Sequence, residues 1–192
     1  MTKVKVNDNF ESDGIKDKVL RIGTIANIAI DKSCTRYASI AGELFDASIT
    51  KLVAFPTAKA EEYTTFPDFV ISIENGAFFN SSVKKLIVHK CVESIGNCTQ
   101  SNLKEIIVDK DNPVYSSRDG VLFNKDRTEL LYYPDGRELQ EYTIPETVKE
   151  IKDNAFSSCR KLLDIEPSEH LSSKEREYLK EIVSRNRRGR GV

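Results

Sequence analysis

The stretch "IPETVKEIKDNAFSSCRKLLDI", residues 144–165, carries the apolar pattern that decides the fold. Apolar residues stand three positions apart near its beginning and its end, and between them lies a small residue followed by phenylalanine. This spacing fits neither the 3.6-residue period of a helix nor the two-residue period of a single strand. It predicts short extended segments joined by tight corners. The residues that carry the pattern are Val148, Ile151, Ala155, Phe156, Leu162 and Ile165.

The same pattern returns in three further stretches, at a spacing of about 22 residues between Ile73 and Ile95. One such coil cannot bury its inward face alone, so we expect successive coils to stack and form one continuous core. A fainter copy stands in "VLRIGTIANIAI", residues 19–30. The three stretches are "YASIAGELFDASITKL" (37–52), "VISIENGAFFNSSVKKL" (70–86) and "VESIGNCTQSNLKEI" (92–106), of which the last lacks the small residue and the phenylalanine.

Residues 144–165 resemble a unit of the BspA-type leucine-rich repeat, whose pattern is roughly P-x-x-V-x-x-I-x-x-x-A-F-x-x-C-x-x-L-x-x-I. "FPDFVISIENGAFFNSSVKKL", residues 66–86, is similar. The resemblance extends over residues 19–166. It implies a β-rich solenoid of short strands, and a role mainly in protein recognition, often at cell surfaces.

The stretch "NPVYSSRDGVLFNKDRTELLYYP", residues 112–134, is interpreted as a β-hairpin inserted between two repeats that does not itself repeat. "GVLF" and "LLYY" are the predicted strands, and the polar "NKDRT" is the turn between them. BspA-type repeats are similar here, with a hairpin that extends the sheet. Tyr132 and Tyr133 either present an aromatic surface to a partner or pack over the edge of the solenoid. A second insertion, residues 54–69, is interpreted as a rim loop.

The segment "SEHLSSKEREYLKEIVSRN", residues 168–186, predicts an amphipathic helix that starts with a capping box of Ser172 and Glu175. This helix either covers the last coil or docks onto a partner. The chain is thereby divided into an N-terminal segment (1–18), the repeat solenoid with its hairpin (19–166), and the helix with a basic tail (167–192).

Four arginines end the chain without a compensating acid, and on a flexible end they could touch phosphates or an acidic protein surface. The alternative is a solvated tail that binds nothing. No aromatic residue is interleaved with them, so specific nucleic-acid binding is only weakly suggested. These candidate partner-binding residues are Arg185, Arg187, Arg188 and Arg190.

The composition argues against several classes of protein. A net charge of -1 with 31% charged residues does not fit a chain that binds nucleic acid or membranes over its whole surface. No apolar run approaches the roughly 20 residues that span a bilayer. The first residues lack the apolar segment of a secretory signal, so we expect the chain to stay in the cytoplasm where it is made, while a surface or virion location is left open.

Candidate catalytic and metal sites are weak. The sequence holds no recognisable nucleophile or phosphate-binding motif, so we expect no enzyme and no cofactor. Asp109, Asp111 and Asp119 suggest a calcium loop, but Val114 stands where such a loop requires glycine. The four cysteines have poor spacing for zinc and are expected to be buried or half-buried thiols, with a structural role near a corner for Cys159.

The leading hypothesis is therefore a non-enzymatic module for protein–protein recognition. The alternative is a structural subunit of a larger assembly, such as a virion component, docked through the C-terminal helix and the arginine tail. A third hypothesis, an accessory protein that binds nucleic acid, depends on the tail alone.

Overall fold

The structure, a computed structural model, describes residues 2–9, 25–59, 63–99 and 101–189. Within these ranges the chain forms short strands followed by a helix, and no helix is long and apolar enough to cross a membrane. The elements are β1 (Thr2–Val6), β2 (Ile25–Ile30), β3 (Tyr37–Ile40), β4 (Glu43–Asp46), β5 (Lys51–Ala54), β6 (Tyr63–Thr64), β7 (Ser72–Ile73), β8 (Lys85–Val88), β9 (Ser94–Ile95), β10 (Glu105–Val108), β11 (Tyr115–Arg118), β12 (Val121–Asn124), β13 (Glu129–Tyr132), β14 (Glu141–Thr143), β15 (Glu150–Ile151), β16 (Asp164–Glu166) and α1 (Ser173–Arg188).

Parallel pairing between successive coils confirms the predicted solenoid. One set of strands forms three ribbons, β1-β2, β6-β8-β10 and β14-β16. A second set of strands alternates with the first along the chain and contains the parallel runs β5-β7-β9 and β13-β15. Pairing already begins at β1, inside the segment predicted to precede the solenoid; residues 10–24, which include most of the faint early copy, lie outside the described ranges.

The residues of the repeat pattern form the core. Phe78 and Phe156, predicted to be wedges between coils, are fully buried. Each packs against an aromatic ring from the preceding hairpin: Phe78 lies 5.7 Å from Phe55, and Phe156 lies 5.2 Å from Tyr133, measured between ring centroids. The small alanine before each phenylalanine is also buried, which brings the corner close to the neighbouring coil.

The prediction that the hairpin occurs once is wrong. Residues 37–52, interpreted as a repeat unit, form another copy of the same three-stranded meander, at an offset of 78 residues. We call β3–β5 the first meander and β11–β13 the second meander. Tyr37 pairs with Asp46 as Tyr115 pairs with Asn124, and the register shifts at Phe45 as it does at Phe123. The rim loop predicted at residues 54–69 is also an ordinary part of the repeat, since β6 within it pairs with β8.

The two meanders use the same turn. Ala41-Gly42 and Asp119-Gly120 both have positive φ at each residue, as the type I′ turn of a two-residue hairpin requires. The turn carbonyls then pair with the neighbouring ribbon: the Gly42 oxygen accepts from the Ile28 amide at 2.9 Å, and the Gly120 oxygen accepts from the Ile106 amide at 2.9 Å. Each hairpin is thus fixed to the coil before it. The sequence-based prediction found β12 and β13 but missed β11.

The second turn of each meander is held by one side chain at equivalent positions. In the second meander the Asn124 Oδ1 atom accepts from the amides of Thr128 and Glu129, at 2.9 and 3.0 Å. In the first meander the Asp46 carboxylate accepts from the amides of Thr50 and Lys51, both at 2.8 Å, and from two hydroxyl groups. The geometry is shared, but only Asp46 can titrate.

The helix α1 covers the last coil, as one of the two interpretations expected. Its capping box forms between Ser172 and Glu175. Leu179 and Ile182 on its inner face join the core with Phe156. The side chain of Asn186 donates to the carbonyl oxygens of Cys159 and Leu162, at 2.6 and 2.7 Å, where a further coil would otherwise be needed.

We predict that exchanging Asp46 and Asn124 exchanges the acid sensitivity of the two turns. Burial raises the pKa of Asp46, but the hydrogen bonds to its carboxylate outweigh that effect and hold the pKa below its usual value. Such a group stabilises the fold above its unfolded pKa, and this contribution is lost as the pH falls through the folded pKa.

Asp46→Asn should therefore lessen the loss of stability on acidification, and Asn124→Asp should increase it. Urea unfolding at about pH 7 and about pH 3 measures both effects. If both variants lost as much stability in acid as the unmodified protein, the Asp46 carboxylate would not be an acid-sensitive element of the fold.

We also predict that Asn186→Ala lowers the free energy of unfolding by about 1–3 kcal/mol, because two buried carbonyl groups lose their donor. Arg188→Ala is the matched control on the same helix, since the Arg188 side chain is exposed and forms no hydrogen bond or ion pair with another described residue. It should stay within about 0.5 kcal/mol of the unmodified protein. Equal stability of the two variants, measured by urea unfolding, would argue against the capping role.

Candidate functional site

The ribbon of β6, β8 and β10, here called the central ribbon, offers an outward row of side chains on a rigid base. Successive residues of a strand point to opposite faces. Leu86 and Ile106 therefore enter the core and are fully buried, while their neighbours face outward. The outward row on β8 and β10 consists of Lys85, Ile87, Glu105 and Ile107.

The register places an apolar residue beside an apolar one and a basic residue beside an acidic one on this row. Ile87 lies next to Ile107, and 37% of the Ile107 side chain is exposed although it is large and apolar. Beside them, the Lys85 ammonium lies 2.9 Å from the Glu105 carboxylate. The central ribbon thus presents an apolar pair bordered by a neutral ion pair, a combination that suits the apolar centre and polar rim of a protein interface.

The flanking ribbons differ from it in charge. On β1 the exposed side chains Lys3 and Lys5 are basic, although the Lys5 ammonium pairs with Asp31 at 2.6 Å. On β14 and β16 the exposed row is acidic, and Glu141 stands directly beside Asp164. The outward face of the ribbons therefore changes from basic through apolar to acidic along the solenoid, which gives it a direction that a partner can recognise.

Tyr132 and Tyr133 do not form the exposed aromatic surface that was one of their two interpretations. Only 5% of Tyr132 and 1% of Tyr133 is exposed. The Tyr132 hydroxyl donates to the Cys98 carbonyl oxygen at 2.9 Å and lies 3.2 Å from the Ser101 hydroxyl. Tyr133 stacks on Phe156 in the core. The two rings enter different buried clusters, because Tyr132 ends β13 and Tyr133 is the first residue after it.

The arginines of the basic tail are placed differently from the flexible end that was predicted. Arg185, Arg187 and Arg188 belong to α1, and Arg190 lies outside the described residues. The Arg187 Nε atom donates to the Leu163 carbonyl oxygen at 2.9 Å. The Arg185 Nη2 atom of the guanidinium group donates to the Phe156 carbonyl oxygen at 3.5 Å. Arg188 is exposed, so its binding to a partner stays a prediction.

The rejected calcium loop has a structural role. The Asp109 carboxylate accepts from the Asp111 amide at 2.9 Å. Asn112 is fully buried and donates to the carbonyl oxygens of His89 and Val92 on the preceding coil, at 3.0 and 2.8 Å. Among the described residues no group of three or more acidic, histidine or cysteine side chains could hold a metal ion.

The cysteines occupy the scaffold positions expected for them. Cys98 and Cys159 are buried, and Cys34 and Cys91 are half-buried. Burial raises the pKa of Cys98 and of Cys159 to about 12, so both thiols are protonated at neutral pH and are poor nucleophiles. The Cys159 thiol donates to the Phe156 carbonyl oxygen at 2.9 Å, so it bonds within its own corner and not to an adjacent coil.

The central ribbon was missed by reasoning from the sequence. Its signal is the alternation in "KLIV" and "EIIV", residues 85–88 and 105–108. The first and third residues of each stretch point away from the core. The pattern of apolar residues three apart draws attention to Leu86 and Ile106 instead. Which neighbouring apolar residue is exposed depends on where each strand begins, and the sequence does not mark that point.

Comparisons with known proteins agree with this architecture. The family described as "BspA type leucine rich repeat region" matches residues 30–118 and 131–184, in six copies. These ranges cover more than half of the chain, which therefore belongs to the BspA-type leucine-rich repeat family. No curated protein matches it in sequence.

Solved structures of similar fold come from bacteria. A leucine-rich repeat protein from Eubacterium ventriosum is 20% identical with a TM-score of 0.55, and the alignment covers 89% of this chain and 55% of that one. A leucine-rich cell surface protein from Faecalibacterium prausnitzii is 19% identical with a TM-score of 0.52, and the alignment covers 93% and 50%. The pneumococcal vaccine antigen PcpA is 25% identical with a TM-score of 0.48, over 90% and 44%. The chain spans about half the length of these proteins.

We predict that Tyr132→Phe destabilises the protein by about 1–3 kcal/mol, because the buried Cys98 carbonyl group loses its donor. Tyr133→Phe is the matched control: the Tyr133 hydroxyl is buried and makes no hydrogen bond of good geometry with another described residue. Its removal should be neutral or slightly stabilising. Urea unfolding of both variants tests the assignment, and an equal loss in both would contradict it.

Proposed function

We propose that this leucine-rich repeat chain is a non-enzymatic module that recognises another protein through the outward face of its ribbons. The observation that carries the proposal is the apolar pair of exposed Ile107 and half-buried Ile87, on strands whose alternate residues are buried in the core. A rigid sheet loses little conformational freedom when it binds, so its surface residues can contribute their full contact area to affinity.

The charges beside this pair support the choice of a protein partner. The ion pair of Lys85 and Glu105 leaves the middle of the row neutral, while the two flanking ribbons carry opposite signs. Nucleic acid would be repelled from the acidic ribbon of β14 and β16. A protein with its own apolar anchor and a complementary charge distribution fits the whole face.

The alternative of a subunit docked through helix and arginine tail has less support. The inner face of α1 is occupied by the last coil, and Arg187 is engaged with a carbonyl group of that coil. Neither the family nor the similar structures support a virion component. Arg188 is the part of this alternative that can be tested on the same protein.

The test is capture of partners from the native source, their identification by mass spectrometry, and titration of the purified partner against variants. Ile107→Glu should weaken binding by at least about tenfold, since it places a charge in the centre of the apolar pair. Leu139→Glu is the control, because Leu139 is 50% exposed and belongs to none of the three strands of the central ribbon.

Arg188→Ala should bind as the unmodified protein does. Loss of binding in Arg188→Ala together with normal binding by Ile107→Glu would overturn the proposal in favour of docking through the helix. Thermal unfolding of the three variants excludes a trivial loss of fold, since all three side chains are exposed.

A further inference from the structure

A cleft of about 510 Å³ opens where the ladder of strands is interrupted between the two meanders. On one side of this break β9 is the last strand of its sheet, and on the other side β13 pairs with β12 and β15 but not with β9. We call this opening the seam cleft. Its volume lies within the range of small-molecule sites, about 300–1,000 Å³. The polar side chains that line it and carry the inference are Lys51, Glu74, Asn75, Asn97, Lys152 and Asp153.

Two asparagines of the seam cleft are oriented in advance. The Asn75 Oδ1 atom accepts from the Asn97 amide at 2.8 Å, and the Asn97 Oδ1 atom accepts from the Thr99 amide at 2.8 Å. These bonds fix both side chains on adjacent coils. Their Nδ2 groups donate no hydrogen bond to any other described residue, although both residues are exposed in the cleft. Two fixed amide donors are therefore available to a ligand.

The charged side chains of the seam cleft balance and are unpaired. Lys51 and Lys152 are basic, Glu74 and Asp153 are acidic, and none of the four forms an ion pair with another described residue. A ligand of one sign would bring its charge close to unpaired groups of the same sign. A hydroxyl group both donates and accepts, so it can pair with an ammonium, a carboxylate or an amide. The lining thus favours a neutral ligand rich in hydroxyl groups.

The floor of the seam cleft is apolar and closed to a further strand. Leu122 and Leu131 lie there beside the Tyr115 ring, a surface that suits the C–H face of a sugar. The Tyr115 hydroxyl accepts from the Ile95 amide at 3.0 Å. This bond occupies the amide that an added peptide strand would need for pairing along β9.

We propose that the seam cleft binds a neutral carbohydrate, with Asn75 and Asn97 donating to ring hydroxyl groups and Glu74 and Asp153 accepting from them. Recognition by amides and carboxylates over an apolar floor needs no covalent step. The site shares no residue with the outward row of the central ribbon, so carbohydrate binding and protein recognition are separate properties of the chain.

The experiment is two-dimensional ¹H–¹⁵N NMR of the full chain, titrated with maltose, cellobiose, lactose and diacetylchitobiose in turn. At least one disaccharide should shift the side-chain amide signals of Asn75 and Asn97. Asn97→Asp keeps the Oδ1 acceptor for the Thr99 amide but removes the donor, and it should weaken that binding by about tenfold.

Asn7→Asp is the matched control. The Asn7 Oδ1 atom accepts from the Asn9 amide in the same kind of turn, at 3.2 Å, Asn7 does not line the cleft, and the substitution changes the net charge equally. It should bind the sugar as the unmodified protein does.

Two results would overturn the proposal: no shift of the cleft amides with any of the disaccharides at millimolar concentration, or unchanged affinity in Asn97→Asp. Neither result would bear on the test of Ile107, which uses a different surface and a protein ligand.

Discussion

Every coil of this solenoid leaves backbone N–H and C=O groups along its edge, and the rest of the structure depends on how they are paired. An unpaired buried backbone group costs as much as a lost hydrogen bond. Within a run of coils the next strand supplies the partner, as the Gly96 amide does for the Ile73 carbonyl group. Where the run is interrupted, a side chain takes over. The Tyr115 hydroxyl accepts from the Ile95 amide, and the Glu175 carboxylate accepts from the Ile151 amide, both at 3.0 Å. These two residues explain why the chain can stop its ladder once inside the solenoid and once at the helix.

The two meanders show which of their contacts the fold requires. Lys59 lies over the Phe55 ring at 5.2 Å, and at the same offset Arg137 lies over the Tyr133 ring at 5.2 Å. The partner of the cation differs. Lys59 pairs with the buried Glu43 carboxylate at 2.6 Å, whereas valine stands at the equivalent position of the second meander and Arg137 donates to the Asp119 carbonyl oxygen. The cation over the ring is kept while its acceptor changes, so the ion pair is one of two solutions to the same problem: a long basic side chain must cover an aromatic edge without leaving its charge unpaired.

The sequence predicted the structure correctly wherever the local pattern itself contains the residues that come into contact. Apolar residues three apart had to face inward, and the capping box of Ser172 and Glu175 forms among neighbours in the chain. It failed where register decides the outcome. Leu44-Phe45 imitates the small residue and phenylalanine of a repeat unit, so the first meander was mistaken for a coil. Tyr132 faces inward because β13 pairs with β12 through Leu122, and a shift of one residue would have exposed it. Arg187 could not be assigned to the cap because its acceptor, the Leu163 carbonyl group, stands 24 residues earlier in the chain.

The same dependence on register separates the scaffold from the surfaces that bind. On β8 and β10 the inward residues are fixed by the core, but the outward residues lie outside the core and can change at little cost to stability. At the seam the constraint is opposite: the ladder must end there, and its closing groups are the residues that shape the cleft. Gly96 illustrates this constraint, since a Cβ atom at that position would clash with the backbone nitrogen of Asn75. Variation of the ribbon therefore changes what the chain recognises without altering its fold, whereas the cleft is a consequence of how two copies of one unit are joined.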